Sequence, residues 1–185
     1  MTQSLDKNTV QTVLQEADLL CSQAEVEQGL NRMSAEITHL LQDEFPICLS
    51  VMLGGLIFSG QLLTRLHFPL ELDYIHATRY QNTTQGNELE WKKRPNLCLE
   101  GRVVLIMDDI LDEGITLQSI MEYCYQAGAS KVYSAVLVDK ERKRTGLQKA
   151  DFVAITVPDR YVFGYGMDYK GHLRHVAGIY AVKGL

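Results

Sequence analysis

Disulfide frameworks, membrane spans and P-loop nucleotide hydrolysis each leave marks on a sequence, and this chain lacks all three. Its four cysteines, Cys21, Cys48, Cys98 and Cys124, are scattered, with no C-x-x-C pair and no histidine cluster at metal-ligand spacing. That excludes zinc-ribbon and dithiol chemistry and leads us to expect reduced thiols in a cytoplasmic protein. No apolar run approaches the ~20 residues a spanning helix needs. The opening residues MTQSLDKN are polar, so neither an anchor nor a targeting segment is expected. Positive charge is not in excess: the formal net charge of -5 argues against nucleic acid and anionic membranes as general partners. A G-x-x-x-x-G-K-[S/T] motif occurs nowhere, which argues against a P-loop nucleotide triphosphatase.

What is present is a chain of 185 residues, 46% hydrophobic and 22% charged, enough for one globular domain with a sizeable core and a small appended lobe. Its organising stretch is Val103 to Thr116, VVLIMDDILDEGIT. Val103 to Met107 is an unbroken apolar run of the kind that forms a strand covered on both faces of a parallel sheet. Asp108 and Asp109 follow where that strand should emerge, then Asp112 and Glu113. Gly114 and Thr116 precede the amphipathic run Leu117 to Ala127. Strand, acidic loop and helix are predicted in that order.

Open parallel sheets bind ligands beyond the carboxyl ends of their strands, so the acids stand where a site is expected. Two ionised carboxylates ~5 Å apart repel by roughly 3 kcal/mol at an effective dielectric near 20, so a cationic partner is expected among them. Gly114 permits a left-handed turn. The free N–H groups of a helix starting near Ile115, with the Thr116 hydroxyl, form a phosphate cradle. Acids suited to sugar hydroxyls or a hydrated metal beside a phosphate cradle fit a phosphorylated sugar. A phosphate-accepting receiver domain also carries paired acids at a strand end, but after its first strand rather than past the middle of the chain.

The stretch Asp108-Asp109-Ile110-Leu111-Asp112-Glu113-Gly114-Ile115-Thr116 closely resembles the phosphoribosyl-diphosphate (PRPP) signature of the type I phosphoribosyltransferases. Glu113 is the departure, standing where the common form has a hydroxyl residue. The resemblance implies an α/β fold, a parallel twisted sheet flanked by helices with a small hood lobe. The hood would draw on N-terminal helices at about 8–43 and a C-terminal segment at about 151–185, around a core at about 46–150.

Along the rest of the chain, Asn8 or Thr9 is placed to cap a first helix running to about Leu20. Ser22 and Glu25 form a capping box for a second helix ending near Asp43. Two helices are therefore expected before any strand. Ile47 to Leu53 reads as the first core strand, ending at Gly54-Gly55 before a helix from Leu56 to Leu66. In the resemblance this glycine turn meets the pyrophosphate, and with Leu53 where relatives often carry Lys, contact would be through main chain at Leu53 and Gly54. Leu72 to Tyr80 reads as a strand near a sheet edge, Gln81 to Asn87 as a turn, and Glu88 to Trp91 as a returning arm. The resemblance implies a lid with Arg79 and Tyr80 near its start. Lys92, Lys93 and Arg94 read as a solvated face.

Val132 to Val138 is expected to complete a βαβ unit, with Asp139 and Lys140 at its carboxyl end. Arg142, Lys143 and Arg144 read as a solvated basic loop. Asp151 to Val157 reads as another strand, with Tyr161 to Tyr165 extended beyond it. Lys140, then PDRYVFGYGMDY from Pro158, then Arg174 is similar to the purine-binding half of the hypoxanthine-guanine phosphoribosyltransferases. The resemblance implies that Lys140 donates to the purine's exocyclic oxygen, Tyr161 stacks on the base and Val162 main chain meets its edge. Asp168 would hold Mg²⁺, with Asp108 and Asp109 possible further holders through water, and Arg174 would bind pyrophosphate. Asp112 would take the ring proton.

The implied activity joins hypoxanthine or guanine to PRPP, giving IMP or GMP and pyrophosphate in purine salvage, with a dimer or tetramer as the assembly. Two other readings stay open at this point. One is a regulator of the same fold that senses PRPP or nucleotides without turnover; the other is a transferase for another base such as xanthine or adenine.

Overall fold

A computed structural model describes residues 5–79 and 89–185. The chain runs α1 (Lys7–Glu16), β1 (Asp18–Cys21), α2 (Gln23–Leu41), β2 (Ile47–Val51), α3 (Gly55–Leu63), β3 (Glu71–Arg79) and β4 (Leu89–Lys93). It continues through β5 (Val103–Leu111), α4 (Ile115–Gln126), β6 (Lys131–Glu141), β7 (Phe152–Pro158), β8 (Val162–Phe163) and β9 (Ile179–Ala181).

Six strands form the main sheet in the order β4-β3-β2-β5-β6-β7, all parallel except β4, which returns antiparallel along β3. Strand periodicity assigns the two faces. Val103, Leu105 and Met107 of β5 join a core with α2 and α3, while Val104 and Ile106 join a second core with Leu117, Ile120 and Cys124 of α4. Each such fully buried aliphatic side chain contributes about 1.5–3 kcal/mol relative to exposure. After β2 the chain winds outward through α3 to β3; after β5 it winds the opposite way through α4 to β6. The switch point therefore lies between the carboxyl ends of β2 and β5, where a parallel sheet opens a crevice for a ligand.

The N-terminus departs from expectation. The first helix is capped by Asp6, whose Oδ1 accepts from the N–H groups of Asn8 and Thr9 at 2.9 and 3.1 Å, and it ends at Glu16. Asp18–Cys21 is a strand, so one helix and not two precedes the first strand. It pairs antiparallel with β9 in a small three-stranded sheet β1-β9-β8, with Asp18 opposite Ala181. Arg160 seals this pairing with Nη2 2.8 Å from Asp18 Oδ2. A partner so distant in sequence overrides local helical periodicity.

The small sheet and α1 enclose their own core, with Phe163, Tyr169, Leu173 and Val182 packed against Val10, Val13 and Leu14. The second helix forms as expected, with Ser22 N–H donating to Glu25 Oε2 at 2.8 Å in a reciprocal capping box. It packs on β7 of the main sheet. β7 is a strand of the main sheet, and the core that α2 and β7 share also takes in Cys21, Val162, Ile179 and Ala181 of the small sheet, so α2 joins the two layers.

Candidate active site

The β5 strand does not stop before the acids. It continues to Leu111, pairing Asp108 with Val136 and Leu111 with Asp139, so both aspartates are buried within the sheet at its opening end. Two glycines allow this crowding. A Cβ at Gly54 would overlap the Asp109 carboxylate, and a Cβ at Gly166, where φ is +112°, would overlap the Gly54 carbonyl. The β2 turn, the β5 acids and the hood thus meet where only backbone fits.

Burial pushes the Asp108 carboxyl well above the usual carboxylate range, reinforced by the charge of Asp109 beside it. Asp109 is also raised, again through burial, while its hydrogen bond with Asp108 and the nearby Arg174 guanidinium favour its charged form. Both carboxyls are thus shifted towards the neutral form, and burial opposes two charges on the pair at once.

Gly114 takes the left-handed conformation, φ +77°, and is the N-cap of α4. A Cβ there would overlap the Leu147 backbone, so the segment after β6 lies directly on the cradle turn. Gly146 N–H donates to Glu113 O at 3.0 Å, and Leu147 N–H to Gly114 O at 3.2 Å.

The basic loop after β6 is the main correction at the site. Arg142 and Arg144 are not solvated: they fold back over the acidic loop. Arg142 Nη1 lies 2.6 Å from Asp112 Oδ1. Arg144 donates to the main-chain oxygens of Leu111 at 3.0 Å and Asp112 at 2.8 Å, and also engages Asp139 and the Lys140 carbonyl. Its side chain is only 6% exposed, which makes it a buried fastener rather than a surface charge. Lys140 is buried, with Nζ 3.5 Å from Asp112 Oδ2 and 3.6 Å from Asp159 Oδ1. The cationic company expected among the acids is therefore Lys140 and Arg142 at Asp112, and Arg174 near Asp109.

Two cavities open here. The larger, of about 550 Å³, is lined by Leu53, Gly54, Asp108, Asp109, Asp112, Glu113, Gly114, Thr116, Asp168 and Arg174. The smaller, of about 250 Å³, is lined by Lys140, Tyr161, Val162 and Met167. Asp109, Ile110, Asp112 and Asp168 line both. Tyr161 is held edge-on to Tyr169, with ring centroids 5.6 Å apart. Asp168 Oδ1 lies 2.6 Å from Arg174 Nη2, and its Oδ2 accepts from Gly171 N–H at 2.6 Å.

Among the residues expected at the site, Ile115 does not line either cavity. Arg79 is the last residue of β3, and Tyr80 lies outside the described residues. Sequence reading missed His76, Thr78 and Lys92, which line the larger cavity from the β3–β4 hairpin, as well as Asp159 beside Lys140. The alternation in Leu72 to Tyr80 carried a signal for the first two; nothing local marked Lys92.

Residues 18–170 match the phosphoribosyl transferase domain family. The hypoxanthine-guanine phosphoribosyltransferase of Bacillus subtilis (strain 168) is 34% identical over 166 residues, covering 89% of this chain and 92% of that protein. The hypoxanthine-guanine-xanthine phosphoribosyltransferase of Tritrichomonas foetus is 29% identical, covering 89% of this chain and 91% of its own length. Among solved structures, a hypoxanthine phosphoribosyltransferase from Staphylococcus aureus superposes with a TM-score of 0.87 at 26% identity, over 96% of this chain and 97% of that one.

Proposed function

Since the chain belongs to the phosphoribosyl transferase domain family, we propose that it transfers the 5-phosphoribosyl group of PRPP to hypoxanthine or guanine, releasing pyrophosphate and forming IMP or GMP. One observation carries this reading: the acid-lined cavity and the aromatic cavity share Asp109, Ile110, Asp112 and Asp168. A donor lying in one and a base lying in the other would meet at that seam.

Displacement at an anomeric carbon passes through an oxocarbenium-like state, akin to glycoside cleavage. It requires the ribose held, the leaving diphosphate neutralised and the purine's ring proton removed. Asp108 and Asp109 suit the ribose hydroxyls, and the Gly114–Thr116 turn suits the 5-phosphate. Asp112, on the seam, takes the proton. Lys140 donates to a 6-oxo group, which disfavours adenine's amino group at that position. Tyr161 stacks on the base and Val162 main chain reads its edge.

Mg²⁺ fits this donor set. The available ligands are all hard carboxylate oxygens, and burial disfavours ionisation of Asp108 and Asp109 unless a cation stands near. Mg²⁺ keeps several waters and shares substrate phosphates, so it needs few protein ligands. Asp168 would hold it, with Asp108 and Asp109 through water, and when bound it neutralises the diphosphate.

A cytoplasmic setting belongs to the proposal. It is supported by four free cysteines, with the Cys48 and Cys124 thiols pushed up to about 12 by burial. No helix among the described residues is long and apolar enough to cross a membrane.

So does self-association into a dimer or tetramer. Leu56, Leu72 and Tyr74 are 52%, 56% and 39% exposed around one cleft on the α3–β3 face. Such a patch is more than scattered surface hydrophobicity. Sedimentation at micromolar concentration should give a dimer or larger, and Leu72→Glu a monomer; a monomeric wild type refutes the assembly.

The activity itself is tested by PRPP and Mg²⁺ with each base in turn. Pyrophosphate and nucleotide should form with hypoxanthine and guanine and at least ~100-fold more slowly with adenine, the penalty for a mismatched buried polar group. Equal rates with adenine would refute the role of Lys140, and no turnover with any base would favour the sensing regulator.

A further inference from the structure

The larger cavity is lined by five acidic side chains, Asp108, Asp109, Asp112, Glu113 and Asp168, but by only two lysine or arginine side chains, Lys92 and Arg174. A diphosphate leaving group adds more negative charge. Arg174 is already engaged by Asp168 and by the Gly166 carbonyl, both at 2.6 Å. The Lys92 side chain makes no hydrogen bond or ion pair among the described residues.

A break in strand register puts Lys92 there. β3 and β4 pair His76 with Lys93 and Ala77 with Trp91, so Lys92 is the extra residue of a bulge. Bulges turn a side chain out of the strand's alternation and recur beside active sites. Both neighbours are fixed. The Trp91 ring centroid lies 4.8 Å from that of Tyr123, and Lys93 Nζ donates to Asn96 Oδ1 at 2.7 Å.

The height of the bulge indicates which phosphate Lys92 meets. Register between β2 and β3 ends at Val51 opposite Ile75, so the His76–Ala77 level stands just beyond β2, beside the Met52–Gly54 turn. That turn offers backbone and the exposed Leu53 side chain, with no cation of its own. The Gly114 cradle follows β5, three inter-strand spacings of about 4.8 Å from β4. We propose that Lys92 is a binding residue for the diphosphate of PRPP, the cation that the β2 turn lacks, an inference that rests on the function proposed above.

The test uses the full chain with Lys92→Met and Lys92→Arg. Lys92→Met should raise KM for PRPP about tenfold or more, as loss of a charge-assisted contact does. KM for hypoxanthine and the melting temperature should stay unchanged, and Lys92→Arg should restore most of the PRPP affinity. IMP carries the 5-phosphate but no diphosphate, so its calorimetric affinity should be the same in all three proteins. A PRPP KM within twofold of wild type in Lys92→Met overturns the inference, as does an equal loss of IMP affinity, which would move Lys92 to the 5-phosphate. A wild type without turnover refutes the transferase reading instead; the PRPP dissociation constants of wild type and Lys92→Met, measured by calorimetry, then decide the role of Lys92 on their own.

Discussion

Replacing Asp112 by Asn is expected to lower kcat by about 10²- to 10⁴-fold, the range associated with losing a positioned general base, while KM for PRPP changes less than about threefold. The amide keeps the shape of the side chain and removes its capacity to accept a proton. Its surroundings favour a clean result. Arg144 holds the loop through the carbonyls of Leu111 and Asp112 rather than through the carboxylate, so the backbone should stay in place. Lys140 and Arg142 both keep Asp159, at 3.6 and 3.7 Å, when the Asp112 charge goes. Steady-state rates with saturating hypoxanthine would measure it. A kcat within fivefold of wild type would remove Asp112 from proton transfer, and a parallel collapse of PRPP affinity would make it a donor ligand instead.

How much of this site could be read before the fold was known depends on how local each feature is. The acidic loop, its glycine and the helix behind it are contiguous, and each has its own chemistry, so Asp108 to Thr116 was legible as a unit. Lys140, Tyr161, Val162 and Asp168 follow one another in a similarly compact order, and the structure brings all four to the smaller cavity. What escaped was set by pairing between distant segments. Asp18–Cys21 has helical periodicity upstream of it and becomes a strand because Ile179–Ala181 supplies the partner. Arg142 and Arg144 look like surface charge in a basic run, yet strand β6 outlasts its apolar stretch and delivers them to Asp112. Lys92 is invisible to an alternation rule because a bulge breaks that rule at its own position. Gly54 reads locally as part of a turn that meets a ligand through main chain; its tighter role, admitting Asp109 against it and itself against Gly166, depends on three segments meeting.

Asp108→Asn is expected to make the protein more stable at neutral pH and a poorer enzyme. Burial, then the adjacent Asp109 charge, raise the folded-state Asp108 carboxyl well above its ordinary value of 3.8. The folded protein therefore retains a proton that the unfolded chain has already released. Stability falls as pH rises through that interval and is fully present below the unfolded value. Asparagine has no such proton to lose, so the variant should melt above wild type at pH 7. The gap should close as the pH is lowered towards 4. The same substitution removes an anionic acceptor for the ribose or a metal-bound water, a loss of about 1.5–3 kcal/mol, so kcat/KM for PRPP should drop roughly 10- to 150-fold. PRPP with Mg²⁺ should then raise the melting temperature of wild type more than that of the variant, because the ligand stabilises the ionised form of a carboxyl that only wild type has. Melting curves from pH 4 to 8 with and without PRPP and Mg²⁺ would measure all of this. A variant no more stable at pH 7, or a gap that widens on acidification, would mean that the buried aspartate is not the stored instability from which the site draws its affinity.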